Sequence, residues 1–165
     1  MKIELGVGTN PHTKKEDGWL WQDIRPLPNI DVVGPCNNLK LKENSVDEIC
    51  SHHMIEHIPW EQFTAHLEYW HSLLKPGGIL SANCPNGEWG MLRMLRYSKK
   101  GHRPDSMTRR VLYGTAEYQE NLHHNLFTPN LLKLYWEDAG FKDVETKLIK
   151  RHGMKNRDIH IKGVK

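Results

Sequence analysis

Apolar residues along this chain fall into short runs near its start and two helical stripes further on. Lys2 to Gly6, Trp19 to Ile24 and Ile30 to Val33 read as three short strands, separated by Gly18, Pro26, Pro28 and Gly34-Pro35. Ser45 to His52 (SVDEICSH) reads as a fourth. From Trp60 the period changes: Trp60, Phe63, Leu67, Trp70 and Leu74 recur at steps of three and four, which is one face of a helix. Pro59 suits its first turn, and Lys75-Pro76-Gly77-Gly78 ends it. Gly78 to Cys84 is the fifth strand. Weaker helical patterns cover Trp89 to Tyr97 and Ser106 to Leu112. Thr128-Pro129 then opens a helix with an apolar face at Leu131, Leu132, Tyr135 and Ala139, ending at Gly140. Val144 to Ile149 and Asp158 to Val164 complete the set as strands. The Val46 to Cys84 stretch is a strand–helix–strand unit, which predicts a right-handed parallel crossover and an α/β class.

The 165 residues fit one domain burying roughly two thirds of its unfolded surface. No apolar run approaches the ~18 residues that span a bilayer, so no membrane partner is expected. Cys36, Cys50 and Cys84 form no CxxC pair, which suits reduced thiols and a cytoplasmic setting. The net charge of +3 hides an asymmetry. Residues 1–92 carry 7 Lys+Arg against 12 Asp+Glu, whereas residues 93–165 carry 16 against 8. Two basic runs, 93–110 and 147–165, could attract nucleic acid or serve as solvated surface.

Candidate chemistry concentrates at the ends of the strands. Gly6-Val7-Gly8 after the first strand lets backbone approach a ligand, and Asp23 after the second could accept hydrogen bonds from a ribose. A dinucleotide fingerprint would need a third glycine where Pro11 stands, so an NAD loop is disfavoured. His53-Met54-Ile55-Glu56-His57 matches HxxEH, a zinc-peptidase pattern when it lies on a helix. Here it follows a strand and meets Pro59, so no metal ligands are assigned, and zinc hydrolysis is a remote alternative. His53, His57, His123 and His124 are the histidines nearest the expected site, of a type suited to proton transfer or to structural hydrogen bonding.

ELGVG, the strand ending in Asp23, NNLKLKENSVDEICSHHMIEHIP, LKPGGIL and AGFKDVE occur in one order. Together they make the chain resemble class I S-adenosylmethionine-dependent methyltransferases, most closely short members whose first crossover helix is reduced to a loop. The resemblance implies a Rossmann-like, mostly parallel sheet with an antiparallel strand at the C-terminus, in a single domain over 1–165 with 85–127 as a lid over the acceptor. It implies S-adenosylmethionine as cofactor, with Glu4, Gly6, Gly8, Thr9 and Asn10 around its methionine part. Asp23 and Ile24 would stand at the ribose, Cys36, Asn37 and Leu39 at the adenine, and His52 and His53 on the sulfonium side. Where the family often has an acid for the adenine amino group this chain has Pro35, and Asn37 or Asn38 would substitute. His53 and His124 are the catalytic candidates. The expected activity is methyl transfer to a small molecule or glycan. The alternative is a non-catalytic module that binds cofactor or nucleic acid through the basic runs. The missing crossover helix leaves a face that a second copy could cover, as a homodimer.

Overall fold

The computed structural model describes residues 1–115 and 121–165. Seven strands form one sheet: β1 (Lys2–Leu5), β2 (Trp19–Asp23), β3 (Val32–Val33), β4 (Val46–His52), β5 (Leu74–Pro85), β6 (Lys142–Arg151) and β7 (Met154–Val164). Among the described residues four α-helices accompany them: α1 (Trp60–Leu73), α2 (Gly87–Lys99), α3 (Ser106–Tyr113) and α4 (Pro129–Asp138). The spatial order is β3-β2-β1-β4-β5-β7-β6. β1 to β5 are mutually parallel, and β7 runs antiparallel to both β5 and β6. The chain moves outward from β1 to β3 and then returns to the other side of β1 as β4. The strand order therefore reverses at the β1/β4 boundary, where open α/β sheets bind ligands beyond the strand carboxyl ends.

Only a 3-10 turn, Lys15–Asp17, stands between β1 and β2, so the first crossover is a loop, as expected. The reason is local: the residues after Gly8 have no helical apolar stripe with which to cover the sheet. α1 does have one, and it buries Phe63, Leu67, Trp70 and Leu73 beneath the sheet with Ile3, Leu5, Ile49 and Leu80. Trp136 of α4, also fully buried, packs near Phe63 and Phe141.

Three expectations from the pattern need correction. Trp60 shares the apolar period of α1 but is 64% exposed, standing at the first residue of the helix, a turn before the buried Phe63. Leu131 is likewise exposed, the inward stripe of α4 being carried by Leu132 and Trp136. Leu74 is not the last turn of α1: it opens β5 and pairs with Val46 before a bulge resumes the register at Glu48 and Ile79. Lys75 to Gly78 thus lie inside the strand's span and not between helix and strand.

The basic stretch after β5 is tied to the domain by caps. Asn86 accepts from the Glu88 and Trp89 amides at 3.1 and 3.4 Å, and its own amide reaches the Asn156 carbonyl at 2.9 Å. Asp105 caps α3 through the Thr108 amide at 2.7 Å and binds Arg93 at 2.5 Å and the Tyr97 hydroxyl at 2.8 Å. Desolvation pushes the Asp105 carboxyl upward, but the bonds from Thr108, Tyr97 and Arg93 outweigh it and hold it below the usual aspartate range. A depressed carboxyl contributes stability that is complete above its unfolded value and lost as pH falls through its folded value. Asp105→Ala is therefore expected to cost about 1–2 kcal/mol at neutral pH, and less in acid, as read from denaturant midpoints between pH 7 and pH 3.

Candidate functional site

The glycine turn after β1 is held from two sides. Gly6 and Gly8 both have positive φ, 63° and 62°, a region costly to residues with a Cβ. The Gly6 amide donates to Gln22 Oε1 at 3.0 Å, and the Gly8 amide donates to Asp23 Oδ2 at 2.7 Å. A Cβ on Gly6 would lie 2.3 Å from Cγ of Met54, so the Met54 side chain occupies the space that the missing side chain leaves. The turn after β1 and the turn after β4 are packed together at this point.

Glu4 is buried at 1% exposure, with its carboxylate taken by the loop that follows. It accepts from the His12 amide at 3.1 Å, the Thr13 amide at 2.9 Å and the Thr13 hydroxyl at 2.6 Å. Its evident role is to fold that loop back over the strand ends. The loop carries His12 onto His52, whose rings stack with centroids 4.1 Å apart. Thr9 and Asn10 are exposed on the same loop.

Asp23 is buried at 3% exposure, and its Oδ1 accepts from the Arg25 amide and Nε at 2.9 and 3.1 Å. Burial pushes its carboxyl up, but the bonds from Arg25 and Gly8 win and leave it lowered, hence ionised at neutral pH. Ile24 beside it is exposed. The 36–39 segment is anchored to α1: Trp70 Nε1 donates to the Cys36 carbonyl at 2.9 Å, and the Leu39 amide donates to the Tyr69 hydroxyl at 2.8 Å. Asn37 is exposed in this turn, Leu39 is buried, and burial raises the Cys36 thiol to about 11.

β4, β5 and β7 contribute a polar row that sequence reading missed. His52 pairs with Asn83, and Asn83 pairs with His160, in adjacent strands. Asn83 Nδ2 donates to His52 Nδ1 at 2.8 Å, and Asn83 Oδ1 accepts from His160 Nδ1 at 2.8 Å. Desolvation, reinforced by His12, lowers His52 to about 4, so the ring stays neutral at physiological pH. Only register brings these three together, and register is invisible in the linear sequence.

His53 stands at positive φ, 54°, and is doubly engaged. Its Nε2 is 3.0 Å from Asp158 Oδ2 and its Nδ1 is 3.2 Å from Glu56 Oε1. Both acids are buried, at 1% exposure. Desolvation lowers the His53 pKa, but the two carboxylates outweigh it and raise it to about 9, making an imidazolium between two anions. HxxEH does not form a metallopeptidase helix: Ile55–His57 is a 3-10 turn, and His53 is turned away into this ion pair. His124 is exposed, and its backbone amide donates to the Glu56 carbonyl at 2.8 Å, which docks the segment returning to α4 against the turn after β4. Tyr118, in the 85–127 stretch expected to act as a lid, lies outside the described residues.

A cavity of about 510 Å³ is lined by Lys133, Val144, Lys147, His160 and Lys162 on α4, β6 and β7. Of the polar row only His160 reaches it, and the glycine turn and Asp23 do not. Among the described residues no helix is long and apolar enough to cross a membrane.

Residues 9–146 match the profile of a methyltransferase domain. The match begins just past Gly8, so the glycine turn rests on its geometry alone. The fold is similar to that of a SAM-dependent methyltransferase from Archaeoglobus fulgidus, with a TM-score of 0.70 at 16% identity, over 99% of this chain and 85% of the other. A possible histamine N-methyltransferase from Thermotoga maritima gives 0.67 at 18% identity, over 99% and 81%. The 1,6-didemethyltoxoflavin-N1-methyltransferase of Burkholderia thailandensis, solved with S-adenosylhomocysteine, gives 0.67 at 13% identity, over 99% and 70%. No protein of curated function matches the sequence.

Proposed function

Because the chain belongs to the family of S-adenosylmethionine-dependent methyltransferase domains, we propose that it places the cofactor across the β1/β4 switch and methylates a small-molecule or glycan acceptor. The observation that carries the placement is the Gly8 amide bonded to Asp23 Oδ2. It joins the turn that would meet the methionine part to the ionised carboxylate that would receive the ribose hydroxyls. Glu4 supports the loop that bears Thr9 and Asn10. Cys36, Asn37 and Leu39 line the adenine end, with Ile24 flanking the ribose. His52 supplies a neutral ring toward the sulfonium.

Methyl transfer from a sulfonium is an in-line displacement: the acceptor lone pair forms the new bond to carbon while the S–C pair returns to sulfur. The cofactor supplies the electrophilic methyl group. The chain's own residues position it, exclude water and remove an acceptor proton where one must leave. His53 is paired on both ring nitrogens, so its proposed part is to hold the β4 turn in place. His124, exposed beside that turn, is the proposed base. The 85–127 stretch, with α2 and α3 pinned by Asn86 and Asp105, is the proposed cover of the acceptor. The small-molecule reading is supported by the Thermotoga and Burkholderia neighbours, whose names give small nitrogenous acceptors.

Asp23→Asn is expected to weaken S-adenosylhomocysteine binding about 10- to 150-fold, the worth of one charge-assisted hydrogen bond. Some loss of melting temperature should accompany it, because an amide that keeps the Gly8 bond turns its NH2 toward the Arg25 donors, so the comparison is made below both melting transitions. Calorimetry on both proteins checks this, and equal affinities would remove Asp23 from the site. For the acceptor, methyl-labelled cofactor incubated with pooled metabolites, oligosaccharides, RNA and protein should label the low-mass or glycan fraction. Label appearing only in RNA or protein would overturn that acceptor class.

A further inference from the structure

We propose that Glu56, His57 and His123 form a binding site for a divalent metal ion of the zinc class, separate from the cofactor site. One carboxylate oxygen and one ring nitrogen from each histidine lie within 4.8 Å of one another. Neither Glu56 oxygen accepts a hydrogen bond among the described residues, although the side chain is buried at 1% exposure. His53 Nδ1, at 3.2 Å from Oε1, gives it a charge partner without the alignment of a hydrogen bond. A buried carboxylate with open lone pairs is costly unless a cation or donor completes it.

The two histidines are already set as ligands. His57 Nδ1 is 2.9 Å from the Leu122 carbonyl, and His123 Nδ1 is 3.0 Å from the Val111 carbonyl. A carbonyl oxygen can only accept, so both Nδ1 atoms carry the proton and both Nε2 atoms carry the lone pair. This is the outer hydrogen bond that orients metal-bound histidines in general. Two imidazoles with one carboxylate suit zinc, and a tetrahedral ion keeps one position for water. Neighbouring ligand atoms in such a site are about 3.3 Å apart, a closure within reach of ring and glutamate rotation.

A second trio, Glu4, His12 and His52, meets the same distance criterion and fails on chemistry. The Glu4 oxygens already accept from His12 and Thr13. His52 Nδ1 accepts from Asn83, which leaves Nε2 as the protonated nitrogen of the neutral ring. In the chosen site the ion would bridge the turn after β4 and the segment returning toward α4. It would therefore act as a staple, with no part in the displacement itself.

The test uses the full untagged chain, stripped with chelator, then loaded with Zn²⁺ or Co²⁺ and desalted. One ion per chain should be retained, and Co²⁺ should give the intense visible bands of four-coordination. His57→Ala and His123→Ala should each weaken binding by at least about 100-fold, since loss of outer partners alone costs up to that much. His12→Ala, at an exposed loop position, should bind as the parent does. Circular dichroism of the variants separates ligand loss from misfolding, and the wild-type stoichiometry needs no variant. No retained ion, or retention lost in His12→Ala but kept in folded His123→Ala, overturns the site.

Discussion

Alanine in place of His53 is expected to lower folding stability by about 3–5 kcal/mol, the cost of leaving a buried charge without its partner. Asp158 would keep Arg151 Nη1 at 3.2 Å and Arg157 Nη1 at 3.6 Å. Glu56 would keep nothing of opposite charge among the described ion pairs, since His53 is its one ion-pair partner there. Most of the loss therefore belongs to Glu56, and the double variant His53→Ala/Glu56→Gln should recover the larger part of it. Urea unfolding with chelator present measures both, so that no metal substitutes for the missing imidazolium. A loss below 1 kcal/mol, or no recovery in the double variant, would show that the ion pair does not hold the turn after β4.

His124→Ala is expected to lower the methyl-transfer rate about 100-fold or more at saturating cofactor, the lower end of what a positioned base contributes. Cofactor affinity should be unchanged. The residue's structural contact is made by its backbone amide, 2.8 Å from the Glu56 carbonyl, and alanine preserves it. The side chain is exposed, so melting should also be unchanged. Production of S-adenosylhomocysteine with the acceptor found by labelling is the readout. Transfer at the parent rate would remove His124 from the chemistry and leave catalysis to positioning alone. An acceptor that carries no proton to lose would have that outcome.

The metal site and these two predictions share the turn at 53–57, but they separate experimentally. Loss of stability in His53→Ala is read without metal, transfer in His124→Ala is read with cofactor, and metal retention is read with neither. Failure of one leaves the other two standing.

The strand ends were legible from the chain itself. Gly6, Gly8 and Asp23 show in the sequence because their jobs are local: a turn that needs positive φ and a carboxylate one strand later. The helical stripe of Phe63, Leu67 and Trp70 shows because a helix packed on a sheet must repeat its apolar residues at the helical period. The Thr128-Pro129 cap shows for a similar reason, and the Thr128 hydroxyl does accept from the Leu131 amide at 3.3 Å. The ordered set of motifs carried the family, and with it the antiparallel placement of β7.

Other features depended on which strands became neighbours. Trp60 obeys the same period as Phe63, yet at the first residue of α1 it stays exposed. His52, Asn83 and His160 form a row only because β5 lies between β4 and β7. His53 in the sequence suits either proton transfer or a structural hydrogen bond; the fold decides for the second, because Asp158, 105 positions away, arrives on β7 and joins Glu56 in fixing its charge. Glu56, His57 and His123 became a candidate metal site because the segment returning to α4 docks on the turn after β4. Local conformational needs and periodic burial are written in consecutive residues, and those the sequence determined by itself. Pairings between distant side chains arise only when the sheet order closes, so the tertiary structure decided which histidine is paired, which is exposed and which could hold an ion.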